Sequence, residues 1–193
     1  MNNVFFDPWE GKNYSGATPK CLVVGESHYA KQEVSPNFTR DLIREHSQGE
    51  FNHKYFTRIL QVYTGKPHLE VDRKTSWDEL SFFNYVQSLV GNSPGVGPTK
   101  AQFAAARGPF RQVLATLKPQ CILVLSKRLW NEISSDGQQG EPLRIGNETR
   151  ETLVYPFSGG EAIATWIPHP SYYFSAPMWS PWVKSLLERG LTN

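Results

Sequence analysis

The sequence predicts an α/β fold in which a short, mostly parallel sheet is covered by helices on both faces. Two observations carry that prediction. Cys21-Leu22-Val23-Val24 and Cys121-Ile122-Leu123-Val124-Leu125 are short, continuous apolar runs, the pattern of strands buried on both faces. Stretches with apolar residues at helical spacing alternate with these runs, which is the order of βαβ units. At 193 residues the chain fits one domain, 1–193, large enough to bury a full core.

Taken in order, residues 20 to 25 form the first strand, entered after Pro19 and closed by Gly25. Residues 51 to 64 carry Phe51, Tyr55, Ile59, Val62 and Tyr63 at helical spacing, and Gly65 ends the pattern. Gly91 to Pro98 is turn chemistry throughout and reads as a loop. Thr99 then caps a helix whose inner face is Phe103, Ala106, Phe110, Val113, Leu114 and Leu117. Gly108-Pro109 inside it predicts a kink or two abutting helices. The strand at Cys121 to Leu125 leads through Ser126 into a short helix ending at Ile133. Residues 135 to 150 are polar and glycine-containing, an exposed excursion. Residues 151 to 167 read as two strands joined at Ser158-Gly159-Gly160. A last helix begins at Ser180-Pro181 and turns Trp182, Val183, Leu186 and Leu187 inward.

Composition narrows the function classes. Lys and Arg total 20 against 18 Asp and Glu, a formal charge of +2. That balance argues against a long nonspecific grip on nucleic acid and leaves room for a local phosphate-binding face. No apolar run approaches the roughly 20 residues that span a bilayer. The start, Met1 to Asp7, lacks the basic and apolar segments of a signal peptide. The two cysteines, Cys21 and Cys121, each open an apolar run and read as buried small hydrophobes. They cannot supply a four-thiolate metal or iron–sulfur site. His46, His53 and His68 lie among polar residues and read as surface positions, and their spacing matches no zinc motif. The expectation is a cytoplasmic monomer that uses no metal or cofactor.

Two polar motifs at strand ends carry the chemistry. Gly25-Glu26-Ser27-His28-Tyr29 follows the first strand, and Pro168-His169-Pro170-Ser171 follows the last. Ligands of open α/β sheets sit outside the carboxyl ends of the strands, so both motifs can face one crevice. The prolines around His169 fix the backbone and hold one imidazole in one orientation; a rigid turn with an exposed histidine is the plainer alternative. Ser171 offers a hydroxyl and an N–H to a phosphate. Tyr172, Tyr173 and Phe174 can stack on bases or wedge into a duplex. Asn84 can read a nucleobase edge with its amide or satisfy backbone groups at a turn. Ser27 can attack as the serine of a nucleophile elbow, although Tyr29 stands where that turn needs a small residue. It can equally cap a helix, with Glu26 near the positive end of the dipole.

The string of motifs resembles the uracil-DNA glycosylase superfamily. Its members have a first strand ending in a loop such as G-Q-D-P-Y, an Asn-bearing segment, a helix leading to a second apolar strand, and a final His-Pro-Ser. Gly25-Glu26-Ser27-His28-Tyr29, Phe83-Asn84, Pro109 through Ser126 and His169-Pro170-Ser171 stand in that order and span roughly residues 18 to 190. The resemblance implies a three-layer α/β/α domain and a DNA base-excision activity on uracil or another deaminated base. It implies that His169 donates to uracil O2 and that Asn84 bonds the flipped base, with Tyr29 screening against the methyl of thymine. It further implies that Phe38 stacks on the base and that Ser171, Pro170, Tyr172 and Tyr173 approach DNA. Ser27 stands where many branches place Asp or Asn to position water, and His28 replaces the usual proline; Glu26 and His28 are then the candidates to activate water. A superfamily member that binds nucleic acid or a nucleotide without turnover is the alternative, and a Ser27-dependent hydrolase a third reading.

Overall fold

The computed structural model describes residues 3–93, 95–171 and 173–192. Its seven-stranded sheet is built on four parallel strands, and the helices divide between its two faces. In chain order the elements are β1 (Trp9–Glu10), β2 (Cys21–Gly25), α1 (Phe38–Gln48), α2 (Lys54–Thr64), α3 (Arg73–Glu79) and β3 (Leu80–Asn84). They continue with α4 (Lys100–Leu117), β4 (Cys121–Leu125), α5 (Lys127–Ile133), β5 (Gln138–Gln139), β6 (Leu143–Ile145) and β7 (Glu148–Arg150). β8 (Leu153–Phe157), β9 (Gly160–Ile167) and α6 (Ala176–Gly190) complete the chain. The sheet order is β1-β3-β2-β4-β9-β8-β5, with β3, β2, β4 and β9 parallel and the outer pairs antiparallel.

Period-two alternation explains the layers. Leu22, Val24, Ile122, Val124 and Ala164 face α4 and α5, while Cys21, Val23, Leu123, Leu125 and Ile163 face α2 and α6. Every residue of β2, β3 and β4 is buried, which accounts for the unbroken apolar runs of β2 and β4. Burying each large aliphatic side chain contributes roughly 1.5–3 kcal/mol. Both cysteines are free and buried, side by side in the register of β2 and β4. Thr99 caps α4 in a full capping box with Gln102.

Several expectations need correction. α4 runs as one helix from Lys100 to Leu117 with Pro109 inside it, so two abutting helices do not form. α6 starts at Ala176, ahead of Ser180-Pro181, because Pro177 is accommodated in its first turn. No helix starts at Ser27; the chain after β2 stays irregular until α1. Residues 135 to 150 contain β5 and a β6–β7 hairpin rather than a plain exposed excursion. Arg150 anchors that hairpin, its guanidinium 4.6 Å from the Trp179 ring, 4.9 Å from Trp166 and 5.1 Å from Trp182. His46 is fully buried, not on the surface, whereas His53 and His68 are exposed. Pro94, within the expected 91–98 loop, lies outside the described residues. Among the described residues no helix is long and apolar enough to cross a membrane.

Candidate functional site

The chain leaves β2 toward β3 on one side and enters β4 and β9 on the other, so the topological switch point lies between β2 and β4. Glu26 follows β2 and Arg128 lies three residues beyond the end of β4. They meet there in a bidentate ion pair, Arg128 Nε donating to Glu26 Oε2 at 2.7 Å and Nη2 donating to Oε1. Glu26 is buried and Arg128 half exposed, so the pair lies at the carboxyl ends of β2 and β4 with its opposite charges together. The Glu26 bond, with the Tyr29 hydroxyl as a smaller contributor, holds the Arg128 pKa above its ordinary value.

Gly25, Asn84, Tyr55 and His169 form the second half of the site. Gly25 pairs in register with Asn84 at the last rung of β2 and β3. A Cβ on Gly25 would collide with Asn84 Oδ1 and come within 2.9 Å of the Tyr55 hydroxyl, so any side chain there would push both groups aside. Tyr55, on α2, stacks against the His169 ring with centroids 5.0 Å apart. Burial, with Glu26 and Tyr29 adding to it, raises the Tyr55 pKa and keeps the phenol neutral. His169 is exposed, yet the protein around its ring desolvates it and lowers its pKa; Arg128 adds to the shift and Glu26 opposes it. One turn along α2 from Tyr55, Arg58 donates to the Ser171 carbonyl and fastens the loop that carries His169.

His28 packs behind Asn84, on the interior side of this group. Its ring is 5 % exposed, with Nε2 2.8 Å from Thr39 Oγ1. Phe6 meets the ring at 4.7 Å and Phe38 at 4.9 Å. Asn84 Nδ2 approaches from β3, 3.2 Å from Nδ1 and 3.1 Å from Nε2. Burial pushes the His28 pKa down to about 4, so the ring is neutral at pH 7. Of the two candidates to activate water, Glu26 stands at the crevice and His28 is packed inside.

The other sequence candidates divide. The Ser27 hydroxyl is buried with no hydrogen-bond partner among the described residues, so no general base activates it for attack. It caps no helix either. The Ser171 N–H, expected to be free for a phosphate, is spent on the His169 carbonyl at 2.7 Å. Pro170 is buried beneath that turn. Tyr173 is fully exposed and held at φ +60, a strained conformation for a side-chain-bearing residue. Tyr172 lies outside the described residues. Phe38 is half-buried and contacts His28.

Tyr55, Arg58, Thr39 and Arg128 are the participants that sequence reasoning missed. Arg128 carried a usable signal, because it follows the end of a buried strand just as Glu26 does. Tyr55 was hidden as one more member of an apolar stripe. Among the described residues no three His, Cys, Asp or Glu side chains stand together as metal ligands. No protein-family model matches the chain, and no curated protein does.

Proposed function

We propose that this protein flips uracil or another deaminated base out of DNA and hydrolyses its N-glycosidic bond. One observation carries the reading. Gly25, Asn84 and His169, far apart in sequence and each at the end of a parallel strand, are drawn together around Tyr55. In this reading the N-glycosidic bond breaks with its electron pair on the base, negative charge builds on O2, water adds to the sugar carbon, and the proton that the water sheds ends on the departed base. His169, neutral because its pKa is lowered, donates its N–H to that oxygen as the charge develops. Tyr55 is a positioning residue that fixes the ring plane. Glu26, its carboxylate oriented by Arg128, positions the water, and Tyr29 beside Arg128 borders the base. Asn84 offers its amide to the base, Phe38 a stacking face, and exposed Tyr173 fills the emptied stack.

A second reading, a nucleobase-binding or nucleic-acid-binding module without turnover, is favoured by Ser27. Its side chain has no carboxylate, and the one carboxylate at the crevice is tied to Arg128. A base-release assay on labelled oligonucleotides carrying uracil, hypoxanthine or xanthine, single-stranded and paired, separates the two. Release by the wild type that is lost in His169→Ala supports the enzyme. No release from any substrate by the folded protein moves the conclusion to the binding module.

A further inference from the structure

The space between Asn84 and Phe38 already holds a nitrogen heterocycle, the imidazole of His28. Asn84 Nδ2 is nearly equidistant from the two ring nitrogens, 3.2 and 3.1 Å away. A donor that close to both cannot lie in the ring plane without overlapping the carbon between them. It therefore sits over the face of the ring, as an amide stacks on an aromatic system. Phe6 closes on the ring at an interplanar angle of 69° and Phe38 at 57°, and Thr39 bonds Nε2 on the edge. Aromatic walls, an amide over the face and a hydroxyl on the edge are what a protein offers a bound planar heterocycle.

The backbone of His28 is fixed separately. Val90 N–H donates to its carbonyl at 3.2 Å, and His28 bridges to Leu89 in continuation of the β2–β3 pairing. The main chain of His28 is therefore held by contacts that do not involve its ring.

We propose that His28 is the resident occupant of a nucleobase slot made by Phe6, Phe38, Thr39 and Asn84, and that a pyrimidine-like heterocycle takes the slot when the imidazole leaves. The choice of ligand rests on the base-excision reading, which assigns Asn84 and Phe38 to the base; the packing around the ring does not. A closed slot reduces apparent affinity by the fraction of molecules in which it is open, so the imidazole sets how readily a base enters.

The test is equilibrium dialysis of labelled uracil against wild type and His28→Gly, with free imidazole as competitor. The glycine variant is expected to bind uracil about tenfold or more tighter than wild type, imidazole is expected to compete, and adding Asn84→Leu is expected to abolish uptake. A folded glycine variant that takes up imidazole but not uracil, or takes up neither, overturns the proposal. If that variant does not fold, ring-labelled histidine NMR of the wild type decides. A saturating uracil-containing oligonucleotide must move the His28 resonance from its buried to a solvent-exposed position, and a resonance that stays buried overturns the proposal. Base release is scored separately. Uracil uptake by the glycine variant without release by any form keeps the slot and retires the enzyme. Release by wild type without uptake by the variant does the reverse.

Discussion

His46 and His28 are built alike and placed differently. Each is buried, each has Nε2 on the hydroxyl of a threonine eleven positions later, and each is pushed by burial to a pKa of about 4. At His46 the Trp77 indole donates to Nδ1 at 2.9 Å. An indole only donates, so Nδ1 accepts and Nε2–H donates to Thr57 Oγ1 at 3.1 Å, which passes a bond to the His53 carbonyl. Both ring nitrogens there have a hydrogen-bond partner. At His28 the second polar contact lies over the ring face. The first arrangement is a joint between α1, α2 and α3; the second is a slot holding a ring. Equal burial therefore does not imply equal purpose.

The largest expected effect lies outside both rings. His169→Ala is expected to lower base release by about 10²–10³-fold, the usual cost of one donor to a developing anion. Its thermal midpoint should stay at the wild-type value, and a lower midpoint would make His169 part of the scaffold.

Next comes pH. Both buried histidines bind a proton more readily when unfolded, so stability is full above pH 6.5 and falls as pH drops from there toward 4. Each ring is expected to contribute about 3 kcal/mol to that loss. Denaturant midpoints across this window for His28→Gln and His46→Gln would each show part of the slope removed. A wild-type stability that is flat from pH 7 to 4.5 would mean that neither ring is held neutral.

At neutral pH, His46→Ala is expected to cost about 3 kcal/mol, because it strands the Trp77 N–H in the core and opens a cavity. His28→Ala opens a similar cavity and takes the ring from the Thr39 hydroxyl, but strands no indole N–H, so it should cost about 1 kcal/mol less. Equal losses in urea melts would erase the distinction between joint and slot. The smallest effect is that of Tyr173→Ala. It is expected to weaken binding to uracil-containing duplex by about 1 kcal/mol or slightly more, through lost stacking, without altering stability. Unchanged affinity would remove Tyr173 from the interface.

The sequence revealed the strands that are apolar from end to end. β2 and β4 are buried on both faces and stopped by Gly25 and Ser126, so local pattern sufficed. β3 was obscure because Ser81 interrupts it; its hydroxyl is satisfied by the Trp9 carbonyl, 72 positions away. α1 was obscure because it is mostly polar, and its inward residues Thr39, Ile43 and His46 make no apolar stripe. The same obscurity put His46 on the surface. In the site, Gly25 and His169 stood out at or just after apolar runs, whereas Asn84 stood out only as an amide in an aromatic-rich stretch and through the resemblance. The Glu26–Arg128 pair was not legible, because its partners are 102 residues apart and only the strand order brings them together.

Helix α2 ties these regions together mechanically. Within two of its turns, Tyr55 supports the His169 ring, Thr57 takes the His46 bond and Arg58 grips the Ser171 carbonyl. The loop bearing His169 thus rides on α2 as well as on its own flanking residues. A displacement of that helix would carry the imidazole, its supporting ring and the Ser171 anchor as one body. The alignment of His169 with whatever lies in the crevice is a property of helix placement, set as much by the buried joint at His46 as by the prolines on either side of the ring.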